Sequence, residues 1–521
     1  DFITGFNVVK GFLNLEIATS YWLKKFDSIL KISNYGQLKE TGKTYIVEFS
    51  SPNTNKPLHL GHLRNIFLGY SVANILKANG HDVVKTQIIN DRGIHICKSM
   101  LAWQKFGEGE TPKSSGLKGD KLVGKYYVAF DKKYKEEIAE LIAAGKEKEV
   151  AEKQSPILLE AQEMLRKWEE GNEEVLKLWE MMNSWVYEGF DSTYQTMGVD
   201  FDSLYYESKT YILGKDIVDS GLEKEILYKK EDGSVWCDLS DQKMDDKLLL
   251  RGDGTSVYMT QDVGTAVKRF EDNPNTVGMI YTVGNEQEHH FKVLFAILKK
   301  LGYSFADECF HLSYGMVNLP TGKMKSREGT VVDADDLMDE VILDAKEITK
   351  ERGHIDGMSE EQKEELYAQI GLGGLKYYLL KVDPKKSMMF NPEESIDLNG
   401  NTGPFIQYTY ARTQSILNKE RGNKNEVEVS IEVEKSELDI IKHLADLPSM
   451  IIEAGKNYSP ALVSNYTYEL VKLYNSFYQS VSIFKEEDKN KQNLRLLLTQ
   501  QVAETVCYTM SLLGIEVPSK M

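Results

Sequence analysis

The sequence is poor in cysteine and contains no long apolar run. Its four cysteines, at positions 97, 237, 309 and 507, are scattered and form no C-x-x-C pair. That spacing argues against a disulfide framework and a zinc knuckle, and it is typical of a protein from a reducing cytosol. No stretch approaches the length of a membrane span, and no secretory signal is recognisable. We therefore expect a cytoplasmic protein with no protein-bound metal and no membrane partner.

Basic residues are also in short supply. The chain has 63 Lys and Arg against 80 Asp and Glu, a formal net charge of −17 at pH 7. Nucleic-acid binding depends on where positive charge lies rather than on its sum, so a chain of this composition would grip RNA only through confined basic patches. Internal repeats and low-complexity tracts are absent, and 521 residues predict two to four domains.

One stretch combines a strand, a loop and a helix in an order that suits a phosphate ligand. Residues 45–49 are apolar and β-rich, as in a buried strand, and prolines at 52 and 57 end it. Helical periodicity then runs over residues 58–77. The first turn carries His59, Gly61 and His62, where imidazoles can donate to phosphate oxygens and glycine lets a flat base approach the backbone.

Further alternation of strands and helices predicts a doubly wound α/β domain. We expect strands over residues 82–89, 205–211 and 277–283, with helices over 258–270 and 289–301. Residues 107–124 are polar and glycine-rich, as in a loop, whereas about 125–200 have helical spacing and many charges, as in an inserted helical segment. From residue 391 the pattern changes to amphipathic helices typical of a bundle.

The residues around the two histidines resemble the HIGH signature of class I aminoacyl-tRNA synthetases. The longer string, Ser-Pro-Asn at 51–53, Lys-Pro at 56–57 and His-Leu-Gly-His-Leu-Arg at 59–64, is similar to arginyl-tRNA synthetases. Residues 322–332, Gly-Lys-Met-Lys-Ser-Arg-Glu-Gly-Thr-Val-Val, resemble a degenerate KMSKS signature, and the Gly-Asn-Thr-Gly-Pro turn at 400–404 resembles the entry to the family's anticodon-binding domain.

This resemblance implies three domains. Residues 1–40 would be the end of an additional N-terminal domain with its linker, and because the first residue is Asp1 we expect the natural chain to begin upstream. Residues 41–390 would form a Rossmann-like, HIGH-type catalytic domain with the helical insertion. Residues 391–521 would form an all-α, DALR-like anticodon-binding domain.

The resemblance also implies site residues. Catalysis is expected from His59, His62, Lys56, Lys323, Lys325 and Arg327; ATP binding from His59, Gly61, His62, Met324 and Lys325; and arginine binding from Glu48, Asn53, Tyr258, Asp262 and Gln287. The spacing leaves open which basic residue of the 323–327 loop meets pyrophosphate, and Lys56 is the alternative.

Elementary chemistry supports the arginine assignment in part. A carboxylate in an apolar strand, such as Glu48, is costly unless it meets a cation, and a planar guanidinium is best met by carboxylates. Tyr258 and Asp262 are one helical turn apart and share a face. We expect Glu48 and Asp262 to enclose the guanidinium, with Asn53 and Gln287 at the α-amino and carboxylate end. The histidines at 289 and 290 are interpreted as structural.

The implied function is arginine–tRNA ligase. ATP with Mg²⁺ and L-arginine would give arginyl-adenylate, and tRNA(Arg) would accept the amino acid at its 3′ end, with adenylate formed once tRNA is bound. A monomer is expected. A cysteinyl enzyme would need a zinc site that these cysteines cannot make, and a glutamyl enzyme would need basic residues at positions 48 and 262. A non-catalytic tRNA-binding paralogue is the alternative from a different class.

Overall fold

The computed structural model describes residues 2–318, 332–352, 355, 357–424, 428 and 430–521. By their contacts the residues group into two units. One comprises Lys43–Gly69 and Val83–Leu337, and the other comprises Asp1–Gly42, Tyr70–Asp82 and Met338–Met521. These units differ from the three predicted domains, whose boundaries near 40 and 390 stay predictions.

The first elements lead from an N-terminal hairpin to the start of the main sheet. They are β1 (Ile3–Val9), β2 (Phe12–Ile17), α1 (Thr19–Leu30), β3 (Thr44–Glu48), α2 (Leu60–Ala78) and β4 (Asp82–Ile89). The inserted helices follow as α3 (Ile94–Phe106), α4 (Pro112–Ser115), α5 (Gly119–Ala143), α6 (Lys148–Gln154), α7 (Pro156–Glu169) and α8 (Glu173–Met197).

The second half of the sheet and its helices come next. They are β5 (Ser203–Tyr206), α9 (Glu207–Thr210), α10 (Lys215–Glu223), β6 (Leu227–Lys229), β7 (Val235–Cys237), β8 (Lys247–Leu250), α11 (Tyr258–Asp272), β9 (Thr276–Gly284), α12 (Glu288–Lys300), β10 (Cys309–Tyr314) and β11 (Val317–Asn318). Short 3₁₀ turns occupy Ser240–Gln242, Asn285–Gln287 and Ser304–Glu308.

The remaining elements are almost all helical. They are α13 (Ala334–Arg352), α14 (Glu360–Leu380), β12 (Met388–Met389), α15 (Pro392–Ser395), α16 (Gly403–Leu417), α17 (Lys435–Ala445), α18 (Leu447–Lys456), α19 (Pro460–Ser480) and α20 (Lys489–Leu512). The predicted turn before α16 is a helix start, because the hydroxyl of Thr402 accepts the backbone N–H of Phe405 and a proline occupies the first turn.

The main sheet has five strands in the order β10-β9-β3-β4-β5. The pairs β10–β9, β9–β3 and β4–β5 are parallel, and the buried side chains of Ile46 and Val47 place β3 in the interior. The chain moves from β3 outward through β4 to β5, and then returns to the other side of β3 with β9. A reversal of this kind leaves a crevice at the carboxyl ends of the two central strands, which is where doubly wound folds bind ligands. Glu48 ends β3, and the turn Asn285–Gln287 follows β9.

Two sequence-based predictions of local structure were wrong. Residues 107–124 contain α4 and the start of α5 rather than a continuous loop. Glycine lowers helix propensity, but a Cβ on Gly119 would lie 2.0 Å from the carbonyl oxygen of Trp185, and one on Gly124 would lie 2.8 Å from Pro57. These glycines therefore serve close packing in α5. The strand predicted over 205–211 ends at Tyr206, and α9 follows it directly.

Candidate active site

The loop between β3 and α2 is held to the sheet by Asn65 of α2. The Asn65 carboxamide oxygen accepts the backbone N–H of Ser50 at 2.6 Å, and its NH₂ group donates to the carbonyl of Thr282 at 2.6 Å. Ser50 has a φ of 56°, in the left-handed region, and is buried. One side chain thus joins the ends of β3 and β9 and stabilises a strained backbone at the crevice.

His59, the last residue of this loop, and His62, in the first turn of α2, lie against each other with ring centroids 3.9 Å apart. The Nδ1 atom of His62 accepts the backbone N–H of His59 at 3.1 Å, and the Nδ1 atom of His59 accepts that of Gly61, also at 3.1 Å. A neutral ring whose Nδ1 accepts must carry its hydrogen on Nε2. Each ring therefore carries an Nε2–H group that can donate to a phosphate oxygen.

The electrostatics keep both rings neutral. Burial, followed by the positive charge of Lys56, lowers the pKa of His59 to about 4. Burial and the charges of His59 and Lys56 lower the pKa of His62 well below its ordinary value. Near pH 7 the two imidazoles are therefore uncharged donors, and the backbone fixes their orientation. The free-energy cost of reorienting them when a phosphate binds is small.

The segment that follows residue 331 lies directly against this loop. The backbone N–H of Leu60 donates to the carbonyl of Val332 at 3.2 Å, and that of Ala334 donates to Leu58 at 2.9 Å. The predicted basic-loop residues Lys323, Met324, Lys325 and Arg327 lie outside the described residues. The described residues that follow them, Val332 and Asp333, adjoin Leu60 and His59.

A cavity of about 260 Å³ opens beside His59. Lys56 and Pro57 of the loop and Lys121, Lys125 and Tyr127 of α5 contribute to its lining. The two lysines of α5 are paired, since Lys121 contacts Asp336 at 2.6 Å and Lys125 contacts Glu110 at 2.7 Å. The helical insertion therefore supplies one wall of the space next to the histidines, and the absence of a side chain at Gly124 permits its close approach.

The cation that pairs with Glu48 in the structure is a side chain of the protein itself. Its carboxylate forms an ion pair with the guanidinium of Arg269 from α11, and both side chains are almost fully buried. A carboxylate in this strand was expected to need a cation, and Arg269 provides it. A contact between Glu48 and a substrate guanidinium stays a prediction, and it would require Glu48 to serve two cations.

Tyr258 and Asp262 lie on the exposed face of the first turns of α11. The tyrosine is 77% exposed, and the Asp262 side chain is 43% exposed. The Nε2 atom of His290 donates to Oδ2 of Asp262 at 2.6 Å. Asn53, in the loop after β3, and Gln287, in the 3₁₀ turn after β9, are also exposed. The four predicted residues therefore present polar atoms to solvent rather than to the core.

Glu207, at the start of α9, is a candidate that the sequence interpretation missed. Burial raises its pKa; the charge of Arg92 opposes this shift, and the charges of Asp91 and Asp262 reinforce it. The helix that Glu207 begins, α9, contacts α11, the helix that carries Asp262. The nearby Asp91 is occupied, because it accepts the backbone N–H and hydroxyl of Ser208 at 2.8 and 2.7 Å. Glu207 falls inside the strand predicted over 205–211, so no local signal marks it as a site residue.

Comparison with known proteins identifies the class. Residues 26–391 match the family model described as tRNA synthetases class I (R), catalytic domain, and residues 406–521 match the DALR anticodon binding domain. The solved arginyl-tRNA synthetase of Thermus thermophilus superposes with a TM-score of 0.82 at 24% identity, over 100% of this chain and 89% of that one. The parallel sheet, the histidine loop and these matches define a class I aminoacyl-tRNA synthetase.

Curated relatives narrow this class to one family. An arginine–tRNA ligase of Flavobacterium psychrophilum is 60% identical over 521 residues, covering 100% of this chain and 86% of the relative. One of Bacteroides thetaiotaomicron is 57% identical over 525 residues, covering 100% and 88%. The chain belongs to the arginine–tRNA ligase family, so the predictions of family, fold class and enzyme class are confirmed.

No helix among the described residues is long and apolar enough to cross a membrane.

Proposed function

We propose that this protein activates L-arginine with ATP and transfers it to the 3′ end of tRNA(Arg). The arginine carboxylate attacks the α-phosphorus of ATP, the bond from that phosphorus to the oxygen bridging the α- and β-phosphates breaks, and pyrophosphate leaves. Mg²⁺ bound to ATP would offset part of the charge on the leaving group. The observation that carries the proposal is the pair of neutral imidazoles at the start of α2, each with Nε2–H available to an oxygen of the phosphate chain.

The phosphate side of the site requires further positive charge. Pyrophosphate carries charge that two neutral imidazoles do not balance, so cations must approach it as the bond breaks. Lys323, Lys325 and Arg327 are the proposed source, because the residues after them adjoin His59. Lys56, which lines the cavity beside His59, is the proposed alternative. Gly61 and Met324 would contact the adenosine part of ATP.

The amino-acid side of the site is proposed to be acidic. Asp262 on α11 and Glu207 on α9, two helices in contact, are the proposed carboxylates, and Tyr258 adds an exposed phenol one helical turn before Asp262. This set suits a planar cation, which two carboxylates can bind through several N–H donors at once. Glu48 would act through Arg269, by keeping that buried guanidinium paired and α11 in place. Asn53 and Gln287 would hold the α-amino and carboxylate groups.

The tRNA contacts are proposed to include the C-terminal helices. Residues 406–521 match an anticodon-binding domain, and an apolar cavity of about 220 Å³ in the same unit is lined in part by Tyr408, Ile370 and Met521. Tyr408 is 43% exposed, and an exposed aromatic ring can stack on an unpaired base. Tyr408→Ala should therefore raise the KM for tRNA and leave the KM for arginine unchanged.

We further propose that the protein is a cytoplasmic monomer and that it forms adenylate only with tRNA bound.

The decisive experiment is aminoacylation of bulk tRNA by the purified chain with each amino acid in turn. Esterification of arginine alone supports the proposal, and esterification of another amino acid overturns it. A non-catalytic paralogue would bind tRNA yet give neither aminoacyl-tRNA nor arginine-dependent ATP–pyrophosphate exchange in the presence of tRNA. The double variant His59→Ala, His62→Ala is the matched negative control, because it removes the proposed phosphate donors and leaves the acidic side intact.

A further inference from the structure

His290, which the sequence suggested to be merely structural, contacts one of the two carboxylates proposed to bind arginine. Its Nε2 atom lies 2.6 Å from Oδ2 of Asp262, the length of a charge-assisted hydrogen bond. A carboxylate can only accept, so the imidazole donates through Nε2–H whether or not the ring is charged. The imidazole therefore already holds one oxygen of Asp262 before a ligand binds.

The contact joins two helices that both begin at the crevice. Asp262 lies in the second turn of α11, and His290 lies in the first turn of α12, three residues after Gln287. The ring meets Phe291 edge-on at 5.8 Å, and Phe291 in turn stacks on His311 at 4.4 Å. His311 is fixed by a contact of 3.0 Å between its Nε2 atom and the carbonyl of Val283 in β9. The imidazole is therefore supported by a group anchored on the sheet.

The hydrogen bond restricts the rotation of the Asp262 side chain but leaves its second carboxylate oxygen available to a ligand. The Asp262 side chain remains 43% exposed, and within the described part of the chain its Oδ1 atom accepts no hydrogen bond. An unrestrained aspartate on an exposed helix face rotates among rotamers, whereas donation to Oδ2 fixes the plane of the carboxylate. A planar guanidinium gains from a fixed plane because its N–H donors lie in one plane too. An ammonium, as a point charge, gains much less.

We infer that His290 is a positioning residue that orients Asp262 for a planar, guanidinium-bearing substrate and so contributes to the selection of arginine over lysine. The inference rests on the proposed function. His290 does not touch the reacting atoms. It acts on ground-state recognition of the amino-acid side chain, so its removal changes the KM for arginine and leaves kcat and the KM for ATP nearly unchanged.

The test compares variants that keep or lose a donor at the Nε2 position. His290→Gln retains an N–H donor near the place of Nε2, whereas His290→Leu has a similar size and no donor. We expect Leu to raise the KM for arginine about tenfold and Gln to stay within about threefold of wild type. The Ki for lysine as a competitive inhibitor should change by less than the KM for arginine in both. His289→Leu is the matched control, since that neighbour is exposed and no hydrogen bond of its side chain is found within the described residues.

Each outcome decides the inference. A KM for arginine that is unchanged in His290→Leu, or changed equally in Leu and Gln, overturns it. If the Leu variant does not fold, His290→Asn takes its place, because its amide is too short to reach Asp262 and should behave like Leu. Failure of the wild-type chain to charge tRNA with arginine would instead refute the proposed function, and that result is read in the same assay before any variant is compared.

Discussion

Replacing Asp262 by Asn tests the proposed arginine site most directly. The substitution keeps the shape of the side chain, and the amide oxygen can still accept Nε2–H of His290, so the link between α11 and α12 survives. What changes is the atom that faces the ligand: an NH₂ group replaces a carboxylate oxygen. A guanidinium would then meet a donor instead of an acceptor, and the proposed site loses one unit of negative charge.

The structure sets the size of the effect. Breaking a fully buried ion pair costs about 3–5 kcal/mol. Asp262 is 43% exposed, so solvent screens its charge, and the appropriate scale is a hydrogen bond to a charged group, about 1.5–3 kcal/mol. The KM for arginine should therefore rise about 10- to 100-fold. Citrulline, which has nearly the same shape but no charge and an oxygen in place of one nitrogen, should bind about as well as before or slightly better.

The assay is aminoacylation of tRNA with arginine, with citrulline and lysine as competitive inhibitors of the wild type and the Asp262→Asn variant. We expect the preference for arginine over citrulline to fall by about tenfold or more in the variant. Lysine should remain a poor ligand of both proteins. Asp272→Asn is the matched control, because Asp272 is on the same helix, is 38% exposed and pairs with Lys268. An unchanged arginine-to-citrulline ratio in Asp262→Asn would remove Asp262 from the site.

Four other predictions address the phosphate side and the RNA. His59→Ala and His62→Ala should each lower kcat about 10²–10³-fold with little change in arginine binding, measured by steady-state kinetics, and a collapse of arginine affinity at normal kcat would reverse the assignment. Because burial lowers the pKa of His59 to about 4, the unfolded chain binds a proton there before the folded chain does as pH falls below about 6.5. The free energy of unfolding should therefore decrease between about pH 6.5 and 4, by up to about 3 kcal/mol from this group, and urea titrations of His59→Gln should show a smaller decrease. Arginine-dependent pyrophosphate exchange should be near background without tRNA, so full exchange in tRNA-free protein contradicts the proposed order of events. With a net charge of −17, the protein must bind tRNA through local basic patches, so filter binding should show tRNA affinity falling more steeply with salt than ATP affinity does, and parallel shallow slopes would speak against this.

The sequence alone determined the elements whose signal is local. The apolar residues of β3 and β9, the helical periodicity of α2 and α11, and the turn before α16 were all recognisable, because each depends on the spacing of neighbouring side chains. The string from 51 to 64 indicated the family, because the residues that carry the resemblance lie close together in one stretch of sequence. The prediction from local propensity was wrong at the start of α5. Gly119 there allows the backbone of Trp185 to pack closely and does not form a turn.

Only the tertiary structure decided how the charged groups of the site are paired. Glu48 and Arg269 are 221 positions apart, and nothing in either segment indicates that one neutralises the other. The same is true of Asp262 and His290, and of the contact between α11 and α9, the helix that Glu207 begins. The neutrality of His59 is also a tertiary property, because it results from burial of the ring. Charge interactions and desolvation depend on distance in space and on exclusion of water, and a linear pattern of residue types carries neither quantity.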